Sequence, residues 1–198
     1  MKNLRKVTLY FTALLTLAFA SCKSDEPTQE NDGEVITDVT LKFQELNSSN
    51  ALVGSVLSFK ASDPQGIEVG KTPTIQSINL AKGKKYQMTI EVTNAIKGED
   101  ITQEILTEAA AHQFFFLGQV FDSSFLSIQY ADAGGIALGL KTTVTVSPST
   151  GTNNSSMRVV LRHDLNKSFA GANNPNFANF IQAGGETDLD ITFPVIFS

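Results

Sequence analysis

Residues 86–93 read Tyr-Gln-Met-Thr-Ile-Glu-Val-Thr, and this stretch decides the fold class. Apolar side chains at positions 86, 88, 90 and 92 alternate with polar side chains. Successive side chains of a β-strand point to opposite faces, so this alternation predicts a strand with one buried face and one exposed face. Such half-buried strands are typical of antiparallel sheets.

Other stretches extend this pattern along the chain. Alternation recurs over Val39–Phe43, Leu138–Val146, Met157–Leu161 and Leu189–Phe197, with weaker strand candidates at 56–61, 75–80, 114–117 and 125–130. Residues typical of turns, such as Asp63-Pro64-Gln65-Gly66, separate these candidates. Eight or nine short strands predict a mainly β fold, an immunoglobulin-like antiparallel β-sandwich. A β-barrel is the alternative.

Two segments depart from the strand pattern. Asp100 can cap a helix over residues 101–112, because Ile101, Ile105 and Ala109 form an apolar stripe at a spacing of four. We therefore expect one short helix.

Residues 166–185 are irregular but carry four large apolar side chains among Asn, Ala and Gly, so we expect an ordered loop that packs on the domain.

The N-terminal residues have the order of a secretory signal. Three basic residues precede an uncharged, mostly apolar run of 14 residues, Val7–Ala20, and small residues lead to Cys22. A membrane-spanning helix needs ~20 apolar residues, so this run is short for one. We expect residues 1–21 to be a signal peptide, 22–34 a flexible acidic tether, and 35–198 a single β-sandwich domain.

Phe19-Ala20-Ser21-Cys22 resembles the lipobox of bacterial lipoproteins, with Phe19 where that family most often has Leu. The resemblance implies cleavage before Cys22 and attachment of lipid, palmitate included, to that residue. The following Lys23–Pro27 resembles the acidic export signal of Bacteroidota surface lipoproteins. This implies an outer-membrane lipoprotein exposed on the cell surface, with the periplasmic face as the alternative.

Four segments of the domain resemble a family of Bacteroidota lipoproteins that has no assigned activity. They are residues 100–115, Gly139–Thr142, Val159–His163 and Gly185–Asp190. Members of that family are sometimes labelled as a periplasmic binding fold, which implies a parallel sheet with alternating helices. One helix among many strands does not fit that label.

Composition narrows the function classes. Residues 1–21 hold three basic and no acidic side chains, so the remainder has 12 basic and 20 acidic ones, a net charge of −8. A domain this acidic lacks the basic surface that nucleic acid requires. Cys22 is the only cysteine, which excludes an intramolecular disulfide. Familiar catalytic motifs such as G-x-S-x-G and H-E-x-x-H are missing, so we expect a non-enzymatic domain without a required cofactor.

The expected function is binding or interaction at the cell envelope. Lipid on Cys22 would join the protein to the membrane, and an envelope glycan or protein would be its partner. The alternative is binding of a divalent metal or small ligand by His112, His163 and nearby carboxylates.

The alternative of metal binding rests on two clusters of polar side chains. Glu104, Glu108 and His112 share one face of the predicted helix, and Arg158, Arg162 and His163 precede the late Glu186. The metal candidates are therefore Glu108, His112, His163 and Glu186, because carboxylate and imidazole both bind divalent ions. Both clusters also fit solvated charges at element ends. Asp188 and Asp190 are interpreted as the solvent side of the last strand.

Overall fold

Two β-sheets form the body of the protein in a computed structural model, which describes residues 35–68, 72–150 and 154–198. The ten strands are β1 Asp38–Leu46, β2 Leu52–Ser62, β3 Thr74–Ile75, β4 Ile78–Leu80, β5 Lys85–Thr93, β6 Gln113–Leu117, β7 Leu126–Tyr130, β8 Lys141–Val146, β9 Ser155–His163 and β10 Glu186–Phe197. The signal peptide, Cys22 and the tether lie outside the described residues.

The strands pair mostly antiparallel. One sheet has six strands in the order β3-β2-β1-β5-β8-β7, and the other has four in the order β4-β10-β9-β6. Only the β4–β10 pair runs parallel among the ladders of the described residues. The sequence candidate at 75–80 is divided, because β3 joins the first sheet and β4 the second. The predicted strand at 138–146 begins later, at Lys141.

The core lies between the two sheets and follows from the alternation. Tyr86, Met88, Ile90 and Val92 of β5 are all buried. They belong to one apolar cluster with the alternate residues of β10 from Leu189 to Phe197. Burial of the inner faces of two sheets against each other confirms the mainly β, sandwich-like prediction.

A second apolar cluster covers part of the outer face of the four-stranded sheet. Phe114 and Phe116 point into the main core, whereas Phe115 points the other way. The cluster around Phe115 contains Val160, Leu165, Ala172, Phe180 and Ala183, with Leu117, Phe169 and Phe177 at its margin. Residues 166–185 therefore form an ordered cover over the β6 and β9 part of this outer face, whereas Asp190, Thr192 and Pro194 of β10 are exposed.

The predicted helix is shorter than expected. Helix α1 spans Ile101–Thr107, with the Asp100 carboxylate accepting a hydrogen bond from the Thr102 amide at 3.1 Å. The chain then turns, because the Glu108 carbonyl accepts from the amides of both Ala111 and His112. A second helix, α2, has a single turn at Gln119–Asp122. Neither helix in the described part of the chain has the length and apolar character needed to cross a membrane.

Candidate functional site

The two histidines of the chain lie against each other at one end of the four-stranded sheet. Their rings are parallel within 7°, with centroids 4.3 Å apart. The register of β6 on β9 explains this placement. Gln113 is paired with Arg162 in that antiparallel ladder. His112, just before Gln113, therefore lies opposite His163, just after Arg162.

Glu108 completes a group of three around this pair. Its Oε2 atom lies 3.9 Å from Nδ1 of His112. One ligand atom each from Glu108, His112 and His163 fall within 4.8 Å of one another. The side chain of His112 is 1% exposed and that of Glu108 is 49% exposed, so the group opens to solvent on the Glu108 side.

A second carboxylate faces the other edge of the His112 ring. Oδ2 of Asp188 lies 3.8 Å from Nε2 of His112, and the Asp188 side chain is only 11% exposed. Burial raises the pKa of Asp188, and the neighbouring His163 and His112 partly oppose that rise. The interpretation of Asp188 as a solvent-facing partner of Asp190 is wrong.

A β-bulge is the reason for that difference. Thr187 pairs with Arg162 and Leu189 pairs with Leu161, so Asp188 is an extra residue without a partner in the ladder. A bulge turns the side chains on either side of it out of strict alternation. Nothing in the alternation of the sequence marks this position, and sequence reasoning therefore missed Asp188.

The structure separates two of the sequence candidates from this group. Glu186 lies opposite His163 in the ladder, but it is exposed and does not belong to the three-residue group. Glu104 is exposed on α1 and does not belong to it either. Of the four metal candidates, the structure brings together Glu108, His112 and His163.

Arg162 organises the turn that leads into the bulge. Its buried guanidinium donates hydrogen bonds to the carbonyls of Gly184 at 2.7 Å and Gly185 at 2.5 Å, and to the Thr187 hydroxyl. Arg158, in contrast, forms a half-exposed ion pair with Asp190. Arg162 thus contributes to the position of Asp188, whereas Arg158 lies on the outer surface.

Lys167 connects the covering loop, residues 166–185, to the turn between Glu108 and His112. Its ammonium donates to the carbonyls of Ala109 at 2.6 Å and Ala137 at 2.9 Å. Partial burial lowers the pKa of Lys167 to about 8. The loop therefore supports the segment between Glu108 and His112 from one side.

These contacts define what the group can do chemically. Two imidazoles and a carboxylate are ligands for divalent transition metals. The lone pair of an imidazole nitrogen lies in the ring plane, so two parallel rings do not direct their lone pairs to one point. Binding of one ion by both rings requires one ring to tilt, and His163, with a side chain 19% exposed, has more room than His112.

No family model, no curated protein and no solved structure matches this chain.

Proposed function

We propose that this protein is a lipid-anchored, non-enzymatic binding protein whose domain captures a divalent transition-metal ion. The ligands are Glu108, His112 and His163. The observation that carries the proposal is the stacking of the only two histidines in 198 residues, with a carboxylate within 3.9 Å of one of them. The metal alternative from the sequence is therefore favoured over an envelope interaction of unknown ligand.

The ligand types favour a particular class of ion. Ca²⁺ and Mg²⁺ take oxygen ligands almost exclusively, whereas imidazole nitrogen suits Zn²⁺, Cu²⁺ and Ni²⁺. Two imidazoles and one carboxylate supply three protein ligands. A tetrahedral ion such as Zn²⁺ would then keep one position for water or for a donor from a partner.

The spacing of the group supports capture with a small adjustment. Zinc bonds to nitrogen and carboxylate oxygen are about 2.0–2.2 Å long. Two such ligand atoms on a tetrahedral ion lie about 3.4 Å apart, so the present separations of up to 4.8 Å must shorten by as much as ~1.4 Å on binding. Tilting of His163 and movement of the half-exposed Glu108 side chain would supply that change.

The N-terminal sequence supports the proposed location. A lipobox-like segment ending in Cys22 and an acidic tether fit a lipid anchor in the outer membrane, with the domain displayed at the cell surface. The periplasmic face remains the alternative. In either place the domain would meet metal ions outside the cytoplasm.

Calorimetric titration of the metal-free protein with Zn²⁺ tests the proposal. We expect one ion per chain. Loss of a residue that only hydrogen-bonds to a metal ligand costs about 10–100-fold in affinity. His163→Ala removes a direct ligand, so it should weaken Zn²⁺ binding by at least ~100-fold. Ca²⁺ should not compete at millimolar concentration.

Glu104→Gln is the matched control for Glu108→Gln. Both residues lie on the same segment and are exposed, but only Glu108 belongs to the group. Glu108→Gln should weaken Zn²⁺ binding, and Glu104→Gln should not. Absence of Zn²⁺ binding by the native protein, or equal binding by His163→Ala, would refute the proposed function.

A further inference from the structure

The bulge in β10 places one carboxylate where the strand would not otherwise put it. Asp188 has no ladder partner, and its side chain is 11% exposed. Asp190, two residues later, has a side chain that is 34% exposed and paired with Arg158. Two acidic residues of one strand thus have different surroundings, and only Asp188 lies beside the histidines.

Asp188 and Glu108 lie at opposite nitrogens of the same ring. Oε2 of Glu108 is 3.9 Å from Nδ1 of His112, and Oδ2 of Asp188 is 3.8 Å from Nε2. Nδ1 also lies 3.3 Å from the backbone carbonyl oxygen of Glu108, which can only accept a hydrogen bond. An ion shared by the Glu108 carboxylate and His112 therefore has to bind at Nδ1 and replace this contact. Asp188 is then on the far side of the ring from the ion and cannot be a ligand of it.

We propose that Asp188 is a positioning residue that accepts a hydrogen bond from Nε2 of His112 and so favours the tautomer whose Nδ1 lone pair can bind the metal ion in place of the Glu108 carbonyl. This inference rests on the proposed function. A neutral imidazole has one N–H and one lone pair, and the partner of one nitrogen decides which nitrogen is free. Metal-binding histidines commonly donate their other N–H to a carboxylate for this reason.

The neighbouring contacts fit this role. Arg162 holds Gly184, Gly185 and Thr187 just before the bulge, so the backbone on which Asp188 sits is fixed from the sheet. The present distance of 3.8 Å is longer than a hydrogen bond. Asp188 and the ring must therefore approach each other by about 1 Å when the ion binds.

Nitrogen-15 NMR of the histidine rings in the Zn²⁺-loaded protein tests the proposal directly. We expect His112 to bind through Nδ1 and to retain a proton on Nε2. Asp188→Asn should weaken Zn²⁺ binding about 10–100-fold, as loss of such a carboxylate partner usually does. Asp190→Asn, on the same strand, should leave Zn²⁺ binding unchanged, because Asp190 contacts Arg158 and not a histidine.

The outcomes separate this inference from the proposed function. If the native protein binds Zn²⁺ but His112 is bound through Nε2, or if Asp188→Asn binds as tightly as the native protein, the role of Asp188 is wrong and the metal site stands. If the native protein does not bind Zn²⁺, both proposals fail. The ring measurement on the native protein decides the question even if Asp188→Asn does not fold.

Discussion

Gly185 lies directly against the backbone carbonyl of His163. A Cβ atom added at Gly185 would overlap that oxygen and would lie 2.7 Å from the amide nitrogen of Leu165. The φ angle of Gly185 is +74°, in the left-handed region that side chains rarely adopt. The start of β10 can approach the end of β9 this closely only because residue 185 has no side chain.

We therefore expect Gly185→Ala to destabilise the domain by more than ~3 kcal/mol, since backbone atoms must move to admit the methyl group. Gly134→Ala is the control, because Gly134 has φ +73° with open space around it. That change should cost only about 1–2 kcal/mol for the left-handed backbone. Urea unfolding measures both, and equal losses would contradict the close-contact argument.

Substitution of Phe115 tests how much the outer apolar cluster contributes to stability. Phe115 is fully buried beneath residues 166–185, and its ring lies 5.7 Å from that of Phe180. Phe115→Ala should reduce the free energy of unfolding by about 3–5 kcal/mol, as for an internal core residue. Ile181→Ala, in the same loop but with residue 181 71% exposed, should change it by less than ~0.5 kcal/mol. A small effect of Phe115→Ala in urea unfolding would show that the loop does not cover the sheet.

Asp38 makes stability depend on acid pH. Burial alone would raise the pKa of its carboxyl, but hydrogen bonds from Lys60, Ser62 and Thr37 outweigh burial and lower that pKa below its ordinary value. A lowered folded-state pKa means that the contribution of Asp38 is complete above the unfolded pKa and is lost as pH falls through the folded pKa.

Asp38→Asn should therefore cost about 1–3 kcal/mol at pH 7, and the difference from the native protein should shrink below pH 4. Chemical unfolding at pH 7, 5 and 3 measures this trend. Asp190→Asn removes a half-exposed ion pair and should cost less than ~1 kcal/mol at any of these pH values. A pH-independent cost of Asp38→Asn would contradict the prediction.

Cys22 lies outside the described residues and remains a prediction from the sequence. Cys22→Ala should leave the precursor unprocessed or release the protein from membranes, because lipid on this residue is the proposed anchor. Membrane fractionation with detection of the processed form measures it. The anchor is wrong if the variant is still processed and still fractionates with membranes.

The fold class was predictable because strand alternation is a local property. Positions 86–92 and 189–197 each show which side chains face the core, without knowledge of what covers them. The helix boundary was less predictable. The chain leaves the helix after Thr107 since the Glu108 carbonyl is used by the turn that enters β6, and the apolar spacing through Ala109 does not reveal this.

The sequence by itself determined the alternating strands, the capped start of α1, the single cysteine and the two histidines. Tertiary structure decided that His112 and His163 stack, because their contact depends on the register between β6 and β9, strands about 40 residues apart in the chain. It also decided the place of Asp188, because a bulge exists only relative to the partner strand. The periodicity of side chains shows which residues share a face of a single strand. A site at a strand end depends instead on which residues of two paired strands lie opposite each other.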